Sequence, residues 1–157
     1  MNHVMTVGCA VLLASGCVEQ AAEGRHQAES MEVRANLPAL QQAVQAFAMG
    51  ERFENGQVVE QGLPPTLPPT PSLASLGETA RAWPVDAPQG WRTLGFEPAA
   101  PVRYTYSVTT EGNIVRLEAT GDLDGDGVRS RFTVEGTYDP ASHEYAWGNV
   151  VIESEME

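Results

Sequence analysis

VRYTYSVTTEGNIVRLEATGDLDGDGVRSRFTVEGTY, residues 102–138, is the stretch that decides the fold. Val102, Tyr104, Tyr106 and Val108 alternate with Arg103, Thr105, Ser107 and Thr109. Val115, Leu117 and Ala119 alternate with Arg116 and Glu118, and Phe132, Val134 and Tyr138 with Arg131, Thr133 and Glu135. A period of two places successive side chains on opposite faces, so each run has one apolar and one polar side. Three such runs separated by turn residues predict an antiparallel meander with one buried face. Glu111-Gly112-Asn113 makes the first turn. The second carries Asp122, Asp124 and Asp126, three carboxylates in five residues. After a looser turn over Tyr138–His143, Glu144–Ile152 reads as a fourth strand, with Tyr145, Trp147, Val150 and Ile152 as its apolar residues.

A face of this kind needs a cover, and the chain upstream supplies one. Val33, Leu37, Leu40, Val44 and Phe47 recur at steps of three or four, the apolar stripe of an amphipathic helix over 30–49. Ser30 can cap it, Glu32 suits its first turn, and Gly50 ends it. Pro38 removes one internal hydrogen bond, which predicts a kink near Arg34 or a fresh start capped by Asn36. The fold class expected is therefore α+β, an N-terminal amphipathic helix on a three- to four-stranded antiparallel meander.

Between helix and sheet, residues 51–88 hold Glu54-Asn55-Gly56 and then GLPPTLPPTP. The prolines forbid helix and central strand, so a loop laid over the core is expected, with one short helical turn over Ser75–Ala82. The sheet region is bounded as 89–153. Trp83 and Trp91 supply large apolar surfaces suited to covering the helix–sheet seam.

The chain has 157 residues, enough for one ordinary domain, and a formal net charge of -12. So acidic a surface repels nucleic acid and anionic lipid, which excludes a nucleic-acid partner. Cys9 and Cys17 both lie in the N-terminal apolar stretch, leaving no disulfide for the folded region.

VMTVGCAVLLASG, residues 4–16, is too short to span a bilayer but suits the apolar core of a secretory signal. Its end, Leu13-Ala14-Ser15-Gly16-Cys17, resembles the lipobox of bacterial lipoproteins. The resemblance implies a signal peptide over 1–16 and a diacylglyceryl group on the Cys17 thiol, with acyl chains sufficient for stable anchoring. Residues 17–29, polar and small, read as a flexible tether, followed by a globular domain over 30–157. The implied location is the cell envelope, outer membrane favoured, with the domain in the periplasm or at the cell surface.

A second resemblance rests on order. Glu32-Val-Arg-Ala35-Asn36-Leu37-Pro-Ala39-Leu40 precedes Trp91-Arg-Thr-Leu94-Gly95-Phe96-Glu-Pro98, then Arg103-Tyr104-Thr-Tyr106-Ser-Val108, then Gly121-Asp122-Leu-Asp124-Gly125-Asp126. Together these resemble the globular part of type IV pilins and pilin-like proteins over about residues 30–139. The prepilin cleavage site and the long apolar helix of that family are lacking. The resemblance thus implies a pilin-like head on a lipid anchor, with pilins or pilus and secretion assembly proteins as partners.

Asp122-Leu-Asp124-Gly-Asp126-Gly127 has the alternate carboxylates and glycine of an oxygen-ligand calcium loop. Thr133 stands where an EF-hand needs Glu, so the loop is not an EF-hand. Glu118, Glu135 or backbone carbonyls are candidates to complete a Ca²⁺ site, and the rival reading is a plain Asp-Gly hairpin turn. Enzyme chemistry finds no footing, because His3, His26 and His143 are scattered and no nucleophile-elbow serine or phosphate loop occurs. The expectation is a non-catalytic, lipid-anchored accessory of a type IV pilus or related secretion filament. The alternatives are a free-standing calcium-dependent binding lipoprotein and, behind it, a small hydrolase.

Overall fold

The computed structural model describes residues 15–77 and 79–153, with side chains described from Met31 onward apart from Phe53. The expected signal over 1–16 lies outside the described residues except for Ser15 and Gly16, as does the Cys17 side chain. One long helix, α1 (Ser15–Ala48), is followed by the hairpin β1 (Glu51–Glu54) and β2 (Gln57–Glu60). Next come β3 (Leu67–Thr70), a 3-10 turn (Leu73–Ser75) and the short helix α2 (Gln89–Leu94). The meander is β4 (Thr105–Glu111), β5 (Ile114–Gly121) and β6 (Ser130–Asp139), with β7 (Glu144–Trp147) and β8 (Val151–Glu153) sharing its last edge. The class is α+β, a helix packed on an antiparallel sheet of spatial order β3-β4-β5-β6-β7, with β8 also paired to β6.

The alternation in 102–138 sets which side of the sheet is dry. Tyr106, Val108, Val115, Leu117, Ala119, Phe132 and Val134 are all buried. Register keeps them together: Val108 faces Leu117, Leu117 faces Val134, and Ala119 faces Phe132. The opposite side carries Arg116, Arg131, Glu118 and Glu135 in exposed ion pairs. Against the dry side lies α1, with Val33, Leu37, Leu40 and Val44 buried as expected. Ala48 completes the stripe in place of Phe47, which is only partly buried. Each large apolar side chain so removed from water contributes roughly 1.5–3 kcal/mol.

Several expectations from sequence are corrected. Helix α1 does not restart at Asn36: it runs through Pro38, and the Asn36 amide donates to Tyr106 Oη at 2.9 Å instead. The backbone is also helical across 17–29, where a tether was expected, in keeping with the Ala, Glu and Gln content of that stretch. The 51–88 region is not all loop. Asn55 and Gly56, both at positive φ, close a two-residue hairpin between β1 and β2. Leu67-Pro-Pro-Thr70 pairs with β4 as an edge strand whose register shifts between Leu67 and Thr70, a setting that tolerates proline. The helical turn falls at Leu73–Ser75 instead of Ser75–Ala82. The region 89–153 opens with a helix, α2, ended by Gly95 in the left-handed conformation, and the sheet itself begins earlier, at β3. Finally, the fourth strand is broken. Gly148 N–H donates to Glu135 O at the break, so β7 and β8 are separate segments along one edge. Trp147 lies over Gly136, where an added Cβ would stand 2.6 Å from the indole ring.

Leu40 is wholly buried where α1 meets the sheet, and Val85 is 93% exposed on the α2 approach. Leu40→Ala is expected to lower stability by about 2–5 kcal/mol in urea unfolding, while Val85→Ala stays within about 0.5 kcal/mol.

Candidate functional site

Three polar constellations stand out among the described residues. The first joins helix to sheet. The first meander strand begins at Thr105, later than the alternation suggests, because the backbone ahead of it is bonded elsewhere. Val102 exchanges hydrogen bonds with Arg81. The N–H groups of Arg103 and Tyr104 donate to Glu32 Oε2 and Oε1 at 2.9 and 3.2 Å, and Tyr106 Oη donates to Oε1 at 3.0 Å. One side chain of α1 thereby satisfies two main-chain donors and a buried phenol. Burial holds the Glu32 carboxyl above the usual carboxylate range, and the hydrogen bonds from Arg103, Tyr104 and Tyr106 only partly offset it. Burial and the neighbouring carboxylate push the Tyr106 phenol up as well. Beside it, Trp83 meets Trp91 and Phe96 edge to face, Phe96 lies tilted against Tyr106, and the Trp91 indole N–H donates to Thr70 Oγ1 at 2.8 Å. Trp91 is fully buried, so it covers the seam as expected and offers no face to a ligand.

The second constellation is the β5–β6 turn. One carboxylate oxygen each from Asp122, Asp124 and Asp126 lie within 4.8 Å of one another. Oxygens bound to one calcium at about 2.4 Å are at most about 4.8 Å apart, so the three are spaced as ligands that could hold a metal ion. Local chemistry shapes the loop: Asp122 accepts from Gly125 N–H, Asp124 from Asp126 N–H and Asp126 from Val128 N–H, at 2.7–3.1 Å. Gly125 and Gly127 take the positive φ these turns require, and buried Leu123 pins the loop to the core. The two glutamates named as further ligands are used elsewhere. Glu118 accepts from Thr120 Oγ1 and pairs with Arg131, and Glu135 pairs with Arg116, on the outer face of the sheet. The three aspartates therefore stand without them.

The third constellation had no sequence signal. His143, treated as an isolated turn residue, meets Tyr138 Oη through Nδ1 at 2.8 Å and Glu60 Oε2 through Nε2 at 2.6 Å. Its carbonyl accepts from Gln45 Nε2 at 2.9 Å, and Gln45 Oε1 accepts from Tyr145 N–H at 3.1 Å. The cluster ties hairpin, β6–β7 turn and α1 together. Both imidazole nitrogens have protein partners, which suits a latch better than an acid–base group serving a substrate. Its members come from positions 45, 60, 138 and 143, too scattered for any local pattern to announce them. Among the described residues no helix is long and apolar enough to cross a membrane.

The Glu32 clamp makes two predictions. Glu32→Ala strands two backbone donors and is expected to cost about 2 kcal/mol in urea unfolding at neutral pH. Because burial holds the folded carboxyl above the ordinary value of 4.5, the stability that comes from its bound proton is full below that value and is lost as pH rises through the raised one, while the hydrogen bonds it accepts persist at neutral pH. Glu32→Gln should remove that downward slope from the stability-against-pH curve.

Comparison of the chain with protein-family models, with curated proteins and with solved structures found no match to any of them.

Proposed function

We propose that this chain is a lipid-anchored envelope protein whose pilin-like head works by contact, as a non-catalytic accessory of a type IV pilus or related secretion filament. The observation that carries the reading is architectural. A helix lies along one face of a wholly antiparallel sheet, and the chain reaches the meander through a long, proline-marked connection. This agrees at the level of fold class with the W-x-x-L-G-F, R-Y-x-Y and aspartate-turn order that prompted the resemblance. The non-catalytic part draws on the constellations above, whose titratable groups are bonded to one another and to backbone. The anchoring part draws on the Leu13–Cys17 sequence alone.

Anchoring is tested by fractionation. The wild-type chain is expected in the membrane pellet and Cys17→Ser in the soluble fraction, and a wild-type chain recovered soluble would refute the anchor. Cross-linking in intact cells, with a tag after Glu157 and mass spectrometry of what is retained, is expected to recover pilins or their assembly proteins.

A second reading, a calcium-dependent binding lipoprotein, is favoured by the spacing of the Asp122, Asp124 and Asp126 oxygens. It predicts a melting temperature that rises in millimolar Ca²⁺ for the wild type and not for Asp124→Ala, since a ligand held only by the folded state stabilises it. Indifference of the wild type to Ca²⁺ would dispose of it.

A further inference from the structure

The β1–β2 hairpin is a sheet of its own, with Glu51, Arg52, Glu54, Val58 and Glu60 exposed. Glycines bracket it, Gly50 before β1 and Gly62, at positive φ, after β2. A two-stranded hairpin by itself is marginally stable in water, so its order depends on being held against something. Among the described residues, the one ion pair that leaves the hairpin joins Glu60 to His143, since Arg52 pairs within it with Glu54.

His143 sits on a firm mount. Its backbone lies in the left-handed region at φ 58°, its N–H donates to Asp139 O at 2.8 Å, and its carbonyl accepts from Gln45 Nε2 at 2.9 Å. The ring is thereby aimed with Nε2 at Glu60 and Nδ1 at Tyr138 Oη. When the ring is neutral, Nε2–H donates to the carboxylate and Nδ1 accepts from the Tyr138 hydroxyl. When it is charged, both nitrogens donate and Tyr138 Oη becomes the acceptor. The same partners serve either state, so the proton changes the strength of the contact and not its shape.

The groups around the ring favour its charge. Asp139, in the same turn, is a second carboxylate beside it, held low by hydrogen bonds from Ala141 N–H and Ser142 Oγ and then by the imidazole charge. Glu144 follows in the chain, and α1 contributes the neutral Gln45. The Tyr138 phenol is raised by burial and by Glu60 and Asp139, so it keeps its proton at neutral pH.

We propose that the β1–β2 hairpin is a pH-gated flap, held on the β6–β7 turn by the Glu60–His143 ion pair when His143 is protonated and loosened when it is neutral. Histidine changes charge between about pH 5 and 8, so closure is favoured at the acid end and weakens as pH rises through that window. The two side chains are 34% and 50% exposed, so solvent screens the pair, and the closed-to-open ratio changes by about two- to fivefold.

Gln61 N–H donates to Gly50 O, and the alternation of bonded pairs makes Arg52 and Val59 the next such pair along the hairpin. The test follows exchange of these two amides by NMR, on the full chain in a mild detergent at low salt, divided by the intrinsic rate at each pH. The wild type is expected to protect them about two- to fivefold more at about pH 5.5 than at about pH 8. Glu60→Gln keeps an acceptor and removes the charge, so its protection should be equal at the two pH values. His143→Asn, which tolerates the left-handed backbone, should behave likewise. If that variant disturbs the turn, Glu60→Gln, on an exposed side chain, decides alone. Equal protection at both pH values in the wild type overturns the proposal, as does a Glu60→Gln variant that keeps the wild-type difference.

Discussion

An antiparallel sheet with one apolar face must be covered, and the covering of that face by α1 is the constraint from which the rest of this structure follows. Val33, Leu37, Leu40, Val44 and Ala48 meet Tyr106, Val108, Leu117, Phe132 and Val134 in a single core. Hydrophobic contact alone is indifferent to small slides of a helix along a sheet. The Glu32 carboxylate removes that freedom, because two main-chain donors at 103 and 104 and the Tyr106 phenol converge on it. Asn36, one turn on, bonds the same phenol. The partial burial of a carboxylate opposes folding, and the satisfied donors offset it. That is the usual balance of a polar group kept inside for its geometry.

The same economy governs the sheet's periphery. Each edge strand presents backbone groups that would otherwise recruit other strands. Prolines blunt β3, and Gln45 reaches from α1 to occupy the Tyr145 N–H and the His143 carbonyl. The Glu60–His143–Tyr138 chain then fastens the β1–β2 hairpin over the β6–β7 turn. Only the short β8, cut from β7 at Gly148, is left without such cover among the described residues. Two of its exposed residues, Val151 and Ile152, are apolar, and the third, Glu153, pairs with Arg131.

The aspartate turn shows how one feature serves fold and chemistry alike. Its Asx hydrogen bonds and positive-φ glycines are sufficient reason for the sequence D-x-D-G-D-G as a turn. Those same bonds bring three carboxylates to within reach of one cation. Glu118 and Glu135 do not join them, since on the outer face each has an arginine opposite, and charge pairing there is local and satisfied.

Period-two alternation in 102–138 and the three-and-four spacing of Val33 to Val44 were enough to determine strands, helix, their apolar faces and hence an α+β packing. A regular element fixes side-chain direction through its own backbone geometry, so its faces are written in the sequence. The aspartate turn was legible for the same reason, its chemistry being confined to a few consecutive residues. What the sequence left undecided depends on distant partners. The edge pairing of Leu67–Thr70, the late start of β4, the break between β7 and β8 and the meeting of Gln45, Glu60, Tyr138 and His143 each require backbone groups from elsewhere in the chain. Hydrogen-bond partners separated by 70 to 100 residues are chosen by tertiary packing, because only the assembled core brings their donors and acceptors together and excludes the water that would otherwise satisfy them.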